Sequence, residues 1–504
     1  MADLLAFPSL TLLFGGAILL GVLLLHFYAS TGGKQVQGIP HLQFEDGNNS
    51  PERYIRETKS LLHVGYEKYT KKGVPFTMRN PVDPNLPLVI MPWTHLDEVK
   101  SAPVNRLSFP LFSNQAFLLD YSHGPQQTPA AALMVKTDLN KNLGNLLAGM
   151  QEECTQALVS RIPDCKEWTP FQPYMTFAYA ISKITSRALA CAELAQNEEW
   201  VNMNIATTMM THQAAQEIRV KYTPRWRWLA RWREPAAIAV LANKKRAAEL
   251  VAPILQQRQV STTADDTISD GIQWLRNIAG KRGKKAVDLA DEELFLGIAS
   301  IHSTSASVLS ILYDLADYPD ATRKIMAEVE EVRSRLKNGI WTKTALMELG
   351  KLDSFMKESQ RLHPLGCITV QRTAVKPYAF KDGFKLPKDA HIAFPNLELN
   401  LDEIIYEDAA NFHPWRFLEI RQRDDPSKFH FTYVSEKSIN FGAGTHACPG
   451  RFFASAEIKM VLIHILTRYD VQWADGGRRP PNMSHDFAET PNFMVDMMFR
   501  NKAR

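Results

Sequence analysis

Ten residues near the carboxyl end, Phe441-Gly442-Ala443-Gly444-Thr445-His446-Ala447-Cys448-Pro449-Gly450, constrain this chain more than any other stretch. Glycines at 442, 444 and 450 let the backbone turn tightly and come close to a flat partner without a side chain in the way. Pro449 and the helical pattern after it place the Cys448 thiol at a helix start, where backbone N–H groups favour a thiolate. An ordinary loop has no need of a residue that oxidises easily, so Cys448 is the first candidate for a functional group. The other cysteines, Cys154, Cys165, Cys191 and Cys367, are irregularly spaced and form no C-x-x-C pair. They are expected as small buried apolar residues in a reducing compartment.

At the opposite end, residues 4–28 contain no Asp, Glu, Lys or Arg. A span needs about 20 apolar residues, so this run is long enough to cross a bilayer. Lys34, Arg53 and Arg56 follow it while only Asp3 precedes it, which turns the rest of the chain toward the cytoplasm. Residues 1–33 are therefore read as a membrane anchor and the start of a linker, and residues 34–504 as one domain without repeats or low-complexity segments. A formal net charge of +4 on 504 residues gives no field that would draw nucleic acid.

Helical periodicity dominates, as in the stretches 320–338 and 456–471, while 87–93 and 492–500 alternate like strands. The class is mainly α with a smaller β part. The longest helix is expected to start at an Asp291 N-cap and stop before Pro319, about 40 Å at 1.5 Å per residue. It is apolar nearly all round and belongs in the centre of the domain. Ser300, His302, Ser303, Thr304 and Ser305 interrupt it. Those hydroxyls either bond back to carbonyls a turn earlier or face a cofactor. Glu358 and Arg361 stand three apart just before Pro364, and Arg416 lies between Trp415 and Phe417. Taken singly, these read as a surface ion pair and as an arginine stacked on aromatic rings.

In sequence order, a polar-centred helix, E-x-x-R, F-x-P-x-R-F and F-x-x-G-x-x-x-C-x-G resemble the cytochrome P450 family, the haem-thiolate monooxygenases. The resemblance covers essentially the whole chain. It implies a helical haem domain around a long central helix, with a single N-terminal transmembrane helix, and haem b (iron protoporphyrin IX) as cofactor. Cys448 is then the axial ligand, with Phe441 and Gly442 beside it, and Glu358, Arg361 and Arg416 form a buried ion network. His446 and Arg372 would hold the haem propionates. The family's tryptophan is missing from the earlier helix, and Lys136 or Lys141 would serve there. Where the family carries an acid in the central helix this chain has His302, and Ser303 matches the proton-relaying alcohol with Thr304 next to it. That pattern is similar to fungal members acting on terpenoids.

The resemblance implies insertion of one oxygen atom from O2 into a small molecule. The alternative is a haem-thiolate isomerase or dehydratase needing no external electrons. No G-x-G-x-x-G follows a strand, so electrons would come from NADPH through a separate cytochrome P450 reductase, with cytochrome b5 as an additional donor. The stretch 107–125 is expected to cap the site, and its Phe, Leu and Tyr residues suit an apolar substrate. Trp226, Trp228 and Trp232 among arginines suggest contact with the bilayer, and the run 280–285 a solvated loop. The implied location is the endoplasmic reticulum membrane, single-pass, with the haem domain facing the cytosol.

Overall fold

The computed structural model describes residue 36 and residues 38–260, 268–279 and 285–502. The expected anchor at 4–28 and all but Lys285 of the basic run lie outside the described residues. What is described is mainly helical with small sheets, as expected. The longest helix, Ala286–Asp317, has 32 residues and runs about 48 Å. Tyr174–Thr185, Glu198–Lys221, Pro235–Val260, Gly350–Leu362 and Arg451–Arg468 pack against it. It starts five residues before the expected Asp291, because Leu289 and Ala290 are wholly buried and continue the apolar pattern backwards. Asp291 caps nothing and pairs instead with Lys244. Among the described residues this helix alone is long and apolar enough to cross a membrane, and here that apolar surface is spent on the core.

The main sheet orders Phe76–Met78, Leu88–Ile90, His391–Phe394, Thr369–Ala374 and Leu107–Ser108. Its pairs are antiparallel except Leu88–Ile90 with His391–Phe394. Between Thr369 and Arg372 the register shifts, and Val370 there takes φ 53°, a strained value for a β-branched residue. Such a bulge re-aims the side chain that follows it. A second sheet joins Thr169–Phe171, Met497–Asn501 and Tyr469–Gln472. The helix expected over 456–471 accordingly ends at Arg468, since Tyr469–Gln472 pairs with the C-terminal strand. The helix Gly350–Leu362 ends before Pro364, as its sequence requires.

Candidate functional site

Short-range bonds shape the cysteine loop. Cys448 N donates to Phe441 O at 2.7 Å and Gly442 N to Ile439 O at 2.8 Å. Gly442 and Gly444 sit at φ 77° and 62°, and a Cβ on Gly444 would lie 2.4 Å from the Lys100 carbonyl oxygen. That loop therefore abuts the segment around Lys100 so closely that only glycine fits. Two further bonds anchor its end: Asn140 Nδ2 to Pro449 O at 3.1 Å and Arg451 Nη1 to Cys448 O at 2.8 Å. Phe441 meets Phe431 edge-on at 5.3 Å. Cys448 is the one cysteine of the five that is not buried outright. Burial still pushes its thiol up, opposed by the N–H groups of Gly450 and Arg451 and by the Arg451 charge. The thiol thus stands just ahead of Arg451–Arg468, with donors aimed at the sulfur.

Two cations, Arg372 and Lys136, gather around the loop's own His446. Arg372 is 2% exposed, and burial lowers its guanidinium to about 10. Its Nη1 donates to Gln371 O at 2.7 Å, but Nε and Nη2 are buried without a partner. Burial and then the charges of Arg372 and Lys136 hold the His446 imidazole down. Of the two lysines weighed from the sequence, Lys136 is thus the one felt at His446. It lies in a π-helical turn, Val135–Leu139, a distortion frequent at functional sites. Buried guanidinium nitrogens without acceptors, next to two more basic groups, form a seat for an anion. This set fits the carboxylates of a haem lying against Cys448.

Glu358 and Arg361 are 0% and 1% exposed, so the pair lies in the interior and not on the surface. Arg361 donates Nε and Nη2 to the Glu358 carboxylate at 2.9 and 2.8 Å, and Arg416 Nε reaches both of its oxygens at 3.1 and 3.2 Å. The surplus positive charge is met by main-chain carbonyls. Arg361 Nη1 donates to Asn400 O and Ala409 O at 2.7 and 2.6 Å, and Arg416 to Glu407 O and Asp408 O.

A second network on the same helix escaped the sequence reading. Asp353 accepts from Arg421 Nη1 at 2.7 Å, Lys459 Nζ at 3.0 Å and Phe431 N at 2.9 Å, and its carboxyl is held far below the usual range. Lys357 Nζ bonds Ser438 Oγ at 3.1 Å. Asp353, Lys357 and Arg361 recur every four residues, an inward charged stripe that was the only available signal. Together these residues pin residues 400–440 and, through Phe431, the aromatic wall behind the loop.

In the central helix the serine hydroxyls bond back to carbonyls a turn earlier, the first of the two readings. Ser300 Oγ donates to Leu296 O, Ser303 Oγ to Ala299 O and Ser305 Oγ to Ile301 O at 2.9, 3.1 and 2.7 Å. Yet Ala299 and Ser303, one turn apart, are exposed, while Thr304 and Ser305 are buried. Ser303 opens onto a cavity of about 180 Å³ walled by Tyr174, His302, Leu365, Pro491 and Phe493, almost all of it apolar surface. His302 sits differently. Its Nδ1 lies 2.8 Å from the Tyr174 hydroxyl and its Nε2 2.9 Å from Ile205 O. The stretch 107–125 forms Phe109–Phe117 and Leu119–Ser122, with the Phe109 ring 5.8 Å from the Arg372 guanidinium. Trp226, Trp228 and Trp232 are 51%, 49% and 64% exposed around the short helix Arg227–Arg233.

The sequence matches the model of the Cytochrome P450 family over residues 118–494. It is 54% identical over 471 residues to Cytochrome P450 monooxygenase cheE of Chaetomium globosum, covering 92% of each chain. Cytochrome P450 monooxygenase ccsG of Aspergillus clavatus is 41% identical over 474 residues, 93% of this chain and 94% of that one. Pyrichalasin C-7 hydroxylase of Pyricularia grisea is 37% identical over 484 residues, 92% of this chain and 93% of its own.

Proposed function

Because the chain belongs to the cytochrome P450 family, whose members are monooxygenases that bind haem b through a cysteine thiolate, we propose that it hydroxylates a carbon of an apolar fungal secondary metabolite. In this reading Cys448 is the axial ligand, and Arg372, His446 and Lys136 hold the propionates. Glu358, Arg361 and Arg416 keep the loop in place, with Phe441 and Gly442 against the ring. Thiolate-ligated haem supplies O–O cleavage. Ser303 supplies the hydroxyl on the oxygen side, with Thr304 as its neighbour in the helix. Ser303 is the nearer to any bound molecule, because its Oγ opens onto the apolar cavity while Thr304 is buried. His302 belongs to the same turn of helix. The single observation that carries the reading is the cationic seat beside the Cys448 loop, with two buried Arg372 nitrogens lacking any acceptor.

The substrate class is a terpenoid or a scaffold like that of the C-7 hydroxylase relative, and the apolar walls at Leu365, Pro491 and Phe493 support either. Electrons come from NADPH through a cytochrome P450 reductase, with cytochrome b5 as an additional donor. The run 4–28 anchors the protein in the endoplasmic reticulum membrane with the haem domain on the cytosolic side. The exposed Trp226, Trp228 and Trp232 with Arg225, Arg231 and Arg233 add a second contact with the bilayer surface.

The full-length protein is assayed with fungal reductase, NADPH and 18O-labelled O2 against terpenoids of increasing size and pyrichalasin. One 18O atom per product, strictly dependent on NADPH, is expected. Product without label or without NADPH would replace this reading by that of an isomerase or dehydratase. Cys448→Ser is expected to lose the red-shifted band of the reduced carbon monoxide complex, and its persistence would remove Cys448 as the ligand.

A further inference from the structure

His302, in the central helix, makes bonds to two neighbouring helices. On one side the Tyr174 hydroxyl, at the first turn of Tyr174–Thr185, lies 2.8 Å from Nδ1. On the other, Ile205 O, within Glu198–Lys221, lies 2.9 Å from Nε2. A carbonyl oxygen only accepts, so Nε2 carries the proton, and a neutral imidazole then accepts at Nδ1 from the tyrosine O–H. Tyr174 selects the tautomer that can hold Ile205. Its ring is fixed in turn by stacking on Phe493 at 5.2 Å and 29°.

The helix Glu198–Lys221 runs close over the central helix. A Cβ on Gly297 would lie 2.3 Å from Asn204 Oδ1, next to Ile205. The bond from His302 is thus a polar tie between two helices that otherwise meet through close packing. It sits one residue from Ser303, on the wall of the same cavity. Both ring nitrogens are occupied, which leaves His302 no free N–H for a molecule in the cavity.

We propose that Tyr174 is a positioning residue that acts through His302. It fixes the tautomer whose Nε2–H holds Ile205, pins Glu198–Lys221 beside the oxygen-facing turn, and so retains bulky molecules against Ser303. The proposal rests on the haem site described above and gives that site a latch.

The test uses full-length, haem-loaded protein and two probes: 4-phenylimidazole, a bulky nitrogen ligand of haem iron, and cyanide, a small one. Release rates are followed by stopped-flow absorbance. A hydrogen bond of ordinary net strength corresponds to roughly a fivefold change in rate. Tyr174→Phe keeps the stack on Phe493 and is expected to speed 4-phenylimidazole release by roughly that factor, with cyanide release unchanged. His302→Leu, and His302→Asn as a second variant too short to span both partners, are expected to do at least as much. Adding Tyr174→Phe to either should change nothing further, since the tyrosine acts only through the histidine.

Unchanged release from Tyr174→Phe overturns the proposal. So do additive effects in the double variant, or equal acceleration of both probes, which would mean general loosening. The measurement needs bound haem but no turnover. Its failure leaves the monooxygenase reading standing, and absence of NADPH-dependent product leaves the latch standing.

Discussion

Removing the carboxylate of Glu358 is expected to cost more than removing either arginine that holds it. The carboxylate accepts from Arg361 Nε and Nη2, from Arg416 Nε at both oxygens, and from His413 N at 2.9 Å. Arg361→Ala leaves it paired with Arg416, so no charge is stranded. What is stranded is the pair of carbonyls at Asn400 and Ala409, both on buried residues. At about 1–3 kcal/mol for each buried acceptor without a donor, the loss is about 2–6 kcal/mol.

Arg416→Ala orphans the carbonyl of Glu407 alone, since Asp408 O still accepts from Asn411 N; Glu407 is an exposed residue that water can reach, and the variant is expected to cost about 1–3 kcal/mol. Glu358→Ala instead leaves two guanidiniums, 1% and 9% exposed, facing each other with no anion. Breaking a buried pair costs about 3–5 kcal/mol, and the unmet His413 N–H adds about 1–3 kcal/mol. Against a total stability of about 5–15 kcal/mol, that variant should yield little holoprotein.

The assay is urea unfolding followed by the haem absorbance and far-ultraviolet circular dichroism, with holoprotein yield read from the reduced carbon monoxide band. The expected order of damage is Glu358→Ala, Arg361→Ala, Arg416→Ala. Glu358→Gln, which keeps shape but not charge, should fall near Glu358→Ala. A smaller loss for Glu358→Ala than for Arg361→Ala would refute the charge argument. So would Arg416→Ala proving the worst.

Gly444→Ala puts a side chain at φ 62° and 2.4 Å from the Lys100 carbonyl, so haem loading should fall severalfold, measured as the ratio of haem to protein absorbance. Burial lowers the Lys357 ammonium from 10.5 to about 8. The unfolded chain therefore holds the extra proton across that window, and stability from this group rises with pH through it. Relative to Lys357→Met, the wild type should gain about 2–3 kcal/mol between pH 8 and 10.5, read from urea midpoints; a flat difference would place Lys357 in contact with water. Ser303→Ala should release hydrogen peroxide at the expense of product, a loss of about 10²-fold or more in productive turnover, while Thr304→Ala, whose hydroxyl is buried, should stay coupled. The reverse result would shift the relay by one residue.

Much of the site was legible because its signals are local. The glycines of 442–450 dictate their own turns, and the helix after Pro449 carries its start in the sequence. Pro364 sets the end of the E-x-x-R helix in the same way. The apolar pattern of 291–318 identified a central helix, although it misplaced the start. A cap at Asp291 is a local preference, and the burial of Leu289 and Ala290 overrode it.

Tertiary structure alone decided the rest. An E-x-x-R spacing is the same on a wet face as on a buried one, and only the carbonyls brought from 400–411 make Arg361 an interior residue. Asp353 finds Arg421 and Lys459 across 68 and 106 residues of chain, a pairing no local pattern encodes. Lys136 was separated from Lys141 by a π-helical turn and by its effect on His446, and His302 from a free acid–base group by Tyr174 and Ile205. Covalent neighbours fix backbone geometry, whereas burial and charge pairing depend on distant segments meeting. The sequence therefore determined the cysteine loop and its helices, and the fold determined which polar side chains were left to face the site.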